Sequence, residues 1–317
     1  MNANRSSFFL EVLALSVLAA FLPAGSLNAQ QCSGTFTRID FLDATQTRAH
    51  GISPTGDIVG LYTDASGTHG YRLLSGGRFT SIDVPGSGST KPAASDAVES
   101  PNFTVIDFPG ALSTQAWGIN EAGDIVGFYT VEGPLIHAFV LRRGEFTSIE
   151  CPEHINTLGI KISDDRTVVG CFHDMDTMGS MHGYVWSEEN GCSSFDVPFS
   201  MHNGITPDGD IVGLYGDENN RVHGYLVSAD AFTQIDFPDA AHTRAWDINP
   251  QGDIVGAYVD ETNASHGFLL TTDGFCSIDF PEARETFTFG INPAGAIVGY
   301  YTDFEGRNHG YLLSRAK

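Results

Sequence analysis

Six histidines, His69, His137, His182, His223, His266 and His309, recur at one position of a tandem motif, and imidazoles at equal spacing invite a metal reading. Ten carboxylates, Asp64, Glu132, Asp174, Asp176, Asp217, Glu218, Asp260, Glu261, Asp303 and Glu305, cluster at a second repeated place. They offer oxygens for Ca2+, although no EF-hand spacing accompanies them. Two further columns vary from copy to copy. One reads His50, Trp117, Leu158, Asn203, Trp246 and Phe289; two residues earlier stand Arg48, Gln115, Asn156, Met201, Arg244 and Phe287. A scaffold makes the same demands on every copy, so positions that vary are where a ligand would be read. Aromatic rings flanked by guanidinium and amide groups suit a sugar, the rings stacking and the polar forks hydrogen-bonding. Arg48, His50, Gln115, Trp117, Arg244 and Trp246 are therefore the candidate ligand-binding residues, with packing between repeats as the competing role for the aromatics. The third copy departs most. Cys171 and His173, two apart on a strand, share a face compatible with a soft metal, but no four-ligand spacing completes the site. No residue is assigned as catalytic or as a metal ligand.

The elements that must position these residues follow from the repeat. An Ile/Val-Val-Gly triplet ends at Gly60, Gly127, Gly170, Gly213, Gly256 and Gly299, and the last five lie 43 residues apart. Such a period marks a stacked or radial array. Each unit holds four apolar runs of β-branched and aromatic residues, separated by Gly, Asn, Asp and Pro, which reads as four antiparallel strands. The predicted fold is an all-β propeller of six four-stranded blades. The last unit lacks a fourth strand while Phe36 to Asp40 precedes any first strand, so the N-terminal strand is expected to close the ring and remove its open edge. Five blades with an appended unit and an open β-solenoid are the competing arrangements.

Between the first two triplets the interval is longer, and residues 86–102 form a Gly, Ser, Ala and Pro-rich insertion, read as flexible. Hairpin register sets Asp83 opposite Gly70 and beside His69, which makes Phe103 to Asp107 a redundant outer strand. Strands about 4.8 Å apart would hold the six histidines too far from one another to share an ion, so each is expected to hydrogen-bond within its own blade.

Composition narrows the partners. With 16 Lys and Arg against 39 Asp and Glu the net charge is −23, which excludes nucleic acid and anionic membranes as partners because phosphate contacts need clustered cations. Residues 1–29 carry Arg5, the apolar run Val12 to Leu22 and then small residues, the pattern of a secretory signal peptide, leaving 30–317 as a single domain. The run is too short to span a bilayer. Five cysteines in an exported chain permit up to two disulfides and leave one thiol over.

The Gly-Ile-Asn, Gly-Asp-Ile-Val-Gly and His-Ala-Phe runs, the last at 137–139 and as His-Gly-Tyr or His-Gly-Phe elsewhere, resemble those of the extracellular HAF-repeat family. The resemblance spans residues 36 to 313. It implies an exported bacterial protein with tandem copies and no established reaction, and it brings no catalytic residues. The expected function is a secreted, non-catalytic module, monomeric and without a resident cofactor, that binds an extracellular carbohydrate or protein at its loop-rich face. The alternatives are a polysaccharide hydrolase or lyase using Asp174, Asp176, Asp217 and Asp260 as acid and base near Arg48 or Arg244, and a structural matrix protein.

Overall fold

The structure is a computed structural model that describes residues 30–76, 80–82, 103–133, 135–152, 154–174, 180–194, 197, 199–229 and 231–315. The signal peptide, the 86–102 insertion, Asp83 and Asp176 lie outside them. Among the described residues every regular element is a β-strand.

The first strand of each repeat is the innermost strand of a blade: Gln46–Ile52, Ser113–Ile119, His154–Ile162, Ser200–Ile205, His242–Ile248 and Glu285–Ile291. Each inner strand neighbours the next, and the sixth neighbours the first, so the ring is closed with six blades. The sixth blade is completed by Thr35–Ile39, which pairs antiparallel with Asn308–Ser314. Ahead of it the chain runs along the outer edge of blade five, where Cys32 donates to the Ser277 carbonyl at 2.8 Å and forms a disulfide with Cys276.

The expected strand assignment around the insertion is reversed. Phe103–Ile106 is the fourth strand of blade one, with Gly70 opposite Ile106, while Thr80–Ile82 lies outside Thr35–Ile39 as a fifth strand of blade six. Linker length explains the exchange. Every fourth strand must reach the next inner strand through a short turn, which reads Asp-Phe-Pro in three of the six links, and Phe103–Ile106 stands immediately before Asp107-Phe108-Pro109 and the inner strand of blade two.

The repeated triplet glycine has a packing cause. Each inner strand carries a β-bulge beside its centre, which pushes a carbonyl toward the second strand. A Cβ at Gly170 would stand 1.8 Å from the Leu158 oxygen, and one at Gly127 would stand 1.9 Å from that of Gln115. Only glycine fits there. On the third strand a small residue likewise meets the neighbouring inner strand. Blade two carries Ala138 where the others have Gly, and it faces Gly159 of blade three, where a Cβ would stand 2.5 Å from Val126.

Adjacent blades are stitched by the Asp-Phe-Pro turns. Phe41, Phe108, Phe237 and Phe280 stack at 3.6 to 3.7 Å on Tyr62, Tyr129, Tyr258 and Tyr301 of the following blade. Their backbone N–H groups donate to Thr47, Thr114, Thr243 and Thr286 at 2.9 to 3.0 Å. Between blades two and three Cys151 replaces the phenylalanine, bonds Cys192, and leaves His154 to stack on Phe172 at 3.7 Å.

Candidate functional site

The bulge aims one side chain per blade at the ring axis: His50, Trp117, Ile160, Asn203, Trp246 and Phe289. This corrects the variable columns in blade three. Leu158 pairs with Cys171 as Gln115 pairs with Phe128, so Leu158 belongs with Gln115 and Arg244, and Ile160 takes the axial place. Asn156, expected in that outer column, sits two residues earlier at a left-handed φ of 51°. The longer inner strand of blade three hid the offset.

The axial side chains meet across the ring. His50 stacks on Trp117 at 4.0 Å, Trp117 approaches Trp246 at 6.0 Å although three blade steps separate them, and Phe289 lies 4.7 Å from Trp246. They close the channel. His50 is 3% exposed, and burial, reinforced by the Arg48 charge, drives its imidazole down to about 3, so it is neutral and a packing residue. Trp117 and Trp246 are only half-buried, and so form a floor.

Above that floor, toward the Asp-Phe-Pro turns, stand Arg48, Gln115, Leu158, Met201, Arg244 and Phe287. Gln115 accepts from the Trp117 indole at 3.3 Å. The Arg48 guanidinium lies 4.7 Å over the Tyr300 ring, and with the Asn308 amide turned to present its oxygen, Arg48 Nη2 donates to it at 2.7 Å. Arg244 is different. Among the described residues it has neither a hydrogen bond nor an ion pair, although it is half-buried and burial lowers its pKa. A guanidinium withdrawn from water without a partner is a costly arrangement unless a ligand completes it.

The far end of the channel is shut as well. Ile52, Ile119, Ile162, Ile205, Ile248 and Ile291 line it together with Lys161. Lys161 Nζ reaches across the axis from blade three to Asp247 of blade five at 2.5 Å. Asp247 also accepts from the backbone N–H groups of Ile248 and Ile291 at 2.9 and 3.0 Å. Sequence reasoning missed this pair. The available signal was that both residues stand in a column that reads Gly51, Gly118, Gly204 and Gly290 elsewhere. The axis is thus blocked in its middle, with the Arg48 and Arg244 column at one end and a cavity of about 60 Å³ at the other.

The repeated histidines serve their own blades. In blades four, five and six Nδ1 bonds the aspartate that follows the fourth strand and Nε2 the aspartate after the second: His223 with Asp236 at 2.8 Å and Asp217 at 3.4 Å, His266 with Asp279 at 2.6 Å and Asp260 at 3.3 Å, and His309 with Asp40 at 2.8 Å and Asp303 at 3.1 Å. His137 of blade two makes no such bond among the described residues and stacks on Tyr129 at 5.3 Å. In blade one the partner is Asp107, at 3.0 Å, in the place expected for Asp83. The hydrogen bond that His266 donates to Asp279 holds the imidazole above its usual pKa, and the imidazole in turn helps hold Asp279 and Asp260 below theirs against the effect of burial. The histidine contribution is therefore complete below pH 6.5 and lost as pH rises through the raised value, whereas the carboxylate contributions are lost only as pH falls below 3.8. Thermal melts between pH 6 and 8.5 should show His266→Gln costing progressively less stability as pH rises; a cost independent of pH would contradict the pairing.

The acidic loop residues are occupied by the same clamps. Asp217 accepts from the Asn219 and Arg221 N–H groups as well as from His223, Asp260 from Thr262, Ala264 and His266, and Asp174 from Ser180 and two histidines, His154 and His182. All three are held below the ordinary carboxylate range. Their donors are already in place, and a general acid would need the opposite shift. Cys171 is a buried free thiol pushed up to about 12 by burial, packed with Phe128, Met201 and Leu214, so the Cys171–His173 pair is a packing feature. Among the described residues no three metal-ligating side chains stand together.

These features define a small six-bladed β-propeller whose axis is blocked by its own side chains. No described protein family and no curated protein matches the sequence. Among solved structures the chain is similar to the lectin SapL1 in complex with α-methyl fucoside, at 12% identity over 87% of this chain and 97% of that one, with a TM-score of 0.51. A variant of Aleuria aurantia lectin in complex with Fucα1-6GlcNAc matches at 11% identity over 84% and 91%, TM-score 0.50. AofleA from Arthrobotrys oligospora matches at 10% identity over 90% of each chain, TM-score 0.50. At this identity the likeness establishes the propeller architecture.

Proposed function

We propose that the chain is an exported, non-catalytic carbohydrate-binding propeller of the HAF-repeat type that takes its ligand at the axial mouth. The observation that carries this reading is Arg244, a guanidinium without a partner among the described residues, in the same inner-strand column as Arg48 and Gln115 and two residues before Trp246. Sugars are bound by this combination of stacking faces and planar polar groups. The carbohydrate ligands of the structurally similar lectins support the choice of ligand class. Two disulfides support export, since such bonds persist in oxidising compartments, and no helix among the described residues is long and apolar enough to cross a membrane.

The test is a panel of soluble and insoluble polysaccharides incubated with the mature protein, reading retained protein and released sugar from the same tubes. Retention without release is expected, with Arg244→Gln weakening it at least tenfold, about 1.4 kcal/mol, at unchanged melting temperature. Arg244 is the better probe than Trp117 or Trp246, because the indoles also hold the blades together. Released sugar, or retention indifferent to Arg244, overturns the proposal.

A further inference from the structure

Three arginines depart from the repeat and converge on the face opposite the mouth. Arg72 stands in a third-strand position that reads Val140, Val185, Leu226, Leu269 and Leu312 elsewhere. Arg166 occupies the turn between the first and second strands of blade three at φ 71°, where the other five blades have glycine at φ 80 to 91°. Arg143 opens a hairpin at φ 52°. A side chain in the left-handed region is unfavourable for any residue with a Cβ, so a blade that keeps arginine where glycine is otherwise used is holding a charge at a structural cost.

All three line one cleft of about 370 Å³ between blades one and two. Arg72 spends two donors on Asp57 and Arg166 one on Asp124, both carboxylates that belong to the turn scaffold. Arg143 is exposed and has no hydrogen bond or ion pair among the described residues. The guanidiniums outnumber the two carboxylates in a protein of charge −23. Arg143 also forms the wall of the adjoining cleft, where the half-buried Trp186 offers a ring.

We propose that this cleft binds an oxyanion carried by a small ligand, a carboxylate or sulfate group of an acidic saccharide being the chemistry that guanidinium forks recognise. A long polyanion is disfavoured by the overall charge, which a single oxyanion escapes at physiological salt because screening acts within about 8 Å. The site is independent of the axial mouth, and its success or failure does not bear on Arg244.

The experiment titrates the full mature chain with galacturonate and, separately, with inorganic sulfate, following both by calorimetry at physiological salt. Arg143→Asn puts a turn-compatible residue in place of an arginine that has no partner among the described residues, and Arg166→Gly is made on an Asp124→Asn background so that no buried carboxylate loses its partner; a melt verifies that both leave the fold intact. Expected is millimolar or tighter binding of at least one probe, weakened tenfold or more in each variant and abolished in the double variant. Preference for galacturonate identifies a carboxylate ligand and preference for sulfate a sulfated one, and either supports the site. No binding of either probe to the unaltered protein, or binding that survives in the double variant, overturns it.

Discussion

Replacing Cys32 and Cys276 by serine is expected to lower the melting temperature by roughly 10 °C, the largest effect of any substitution pair away from the axis. The bond joins residues 244 apart in sequence, so in the unfolded chain it closes a loop spanning nearly the whole domain. On the chain-entropy account such a loop is worth about 5 kcal/mol, against about 4 for the 41-residue separation of Cys151 and Cys192. Position widens the difference. The segment it anchors feeds Thr35–Ile39, the strand that completes blade six and leads into the Asp40 contact with His309 of that blade and the Phe41 contact with Tyr62 of blade one. Releasing it lets the ring open at its seam, exposing the edge of Asn308–Ser314. Melts of the two double-serine variants, with limited proteolysis of the N-terminal segment, measure this. A smaller loss for Cys32/Cys276 than for Cys151/Cys192 would show that the seam holds without its bond.

Lys161→Met is expected to cost about 3 to 5 kcal/mol at pH 7, because it strands Asp247 as a charge without its partner. Asp247 is 1% exposed and burial already raises its pKa, so in the intact protein Lys161 and two backbone donors together keep it tolerable. A carboxyl with a folded pKa above its unfolded one is penalised once ionised. The penalty is absent below pH 3.8 and complete above the folded value, so the loss in Lys161→Met shrinks as pH falls from 7 toward 4.5. Asp247→Gly on the same background installs the residue that four other blades use and should recover most of the loss. Denaturant unfolding of the two single variants and the double variant gives the coupling directly. Additive effects, or a loss independent of pH, would mean that the two side chains do not depend on each other.

The repeat was legible because a propeller blade is a local object. The Ile-Val-Gly spacing, the turn residues between runs and the missing fourth strand of the last unit each report contacts made within one blade or at the seam. From these follow the all-β class, six blades and closure by the N-terminal strand. The pairing of five of the six histidines inside their blades was likewise readable from hairpin register, since Gly267 opposite Ile278 places His266 beside Asp279, whereas His137, expected to pair in the same way, has no such partner among the described residues.

What the sequence by itself determined, then, is the blade, its count and the positions that vary among copies. Tertiary structure alone decided what those positions do. Thr80–Ile82 and Phe103–Ile106 have similar strand patterns, and only the need to link blade one to blade two through a short turn selects between them. Trp117 and Trp246 are 129 positions apart and meet only because ring closure brings every inner strand to one axis. Lys161 and Asp247 find each other for the same reason, as do Arg72, Arg143 and Arg166 at the opposite face from the mouth. Contacts across the axis and between blades depend on the curvature of the whole ring, which no single repeat encodes.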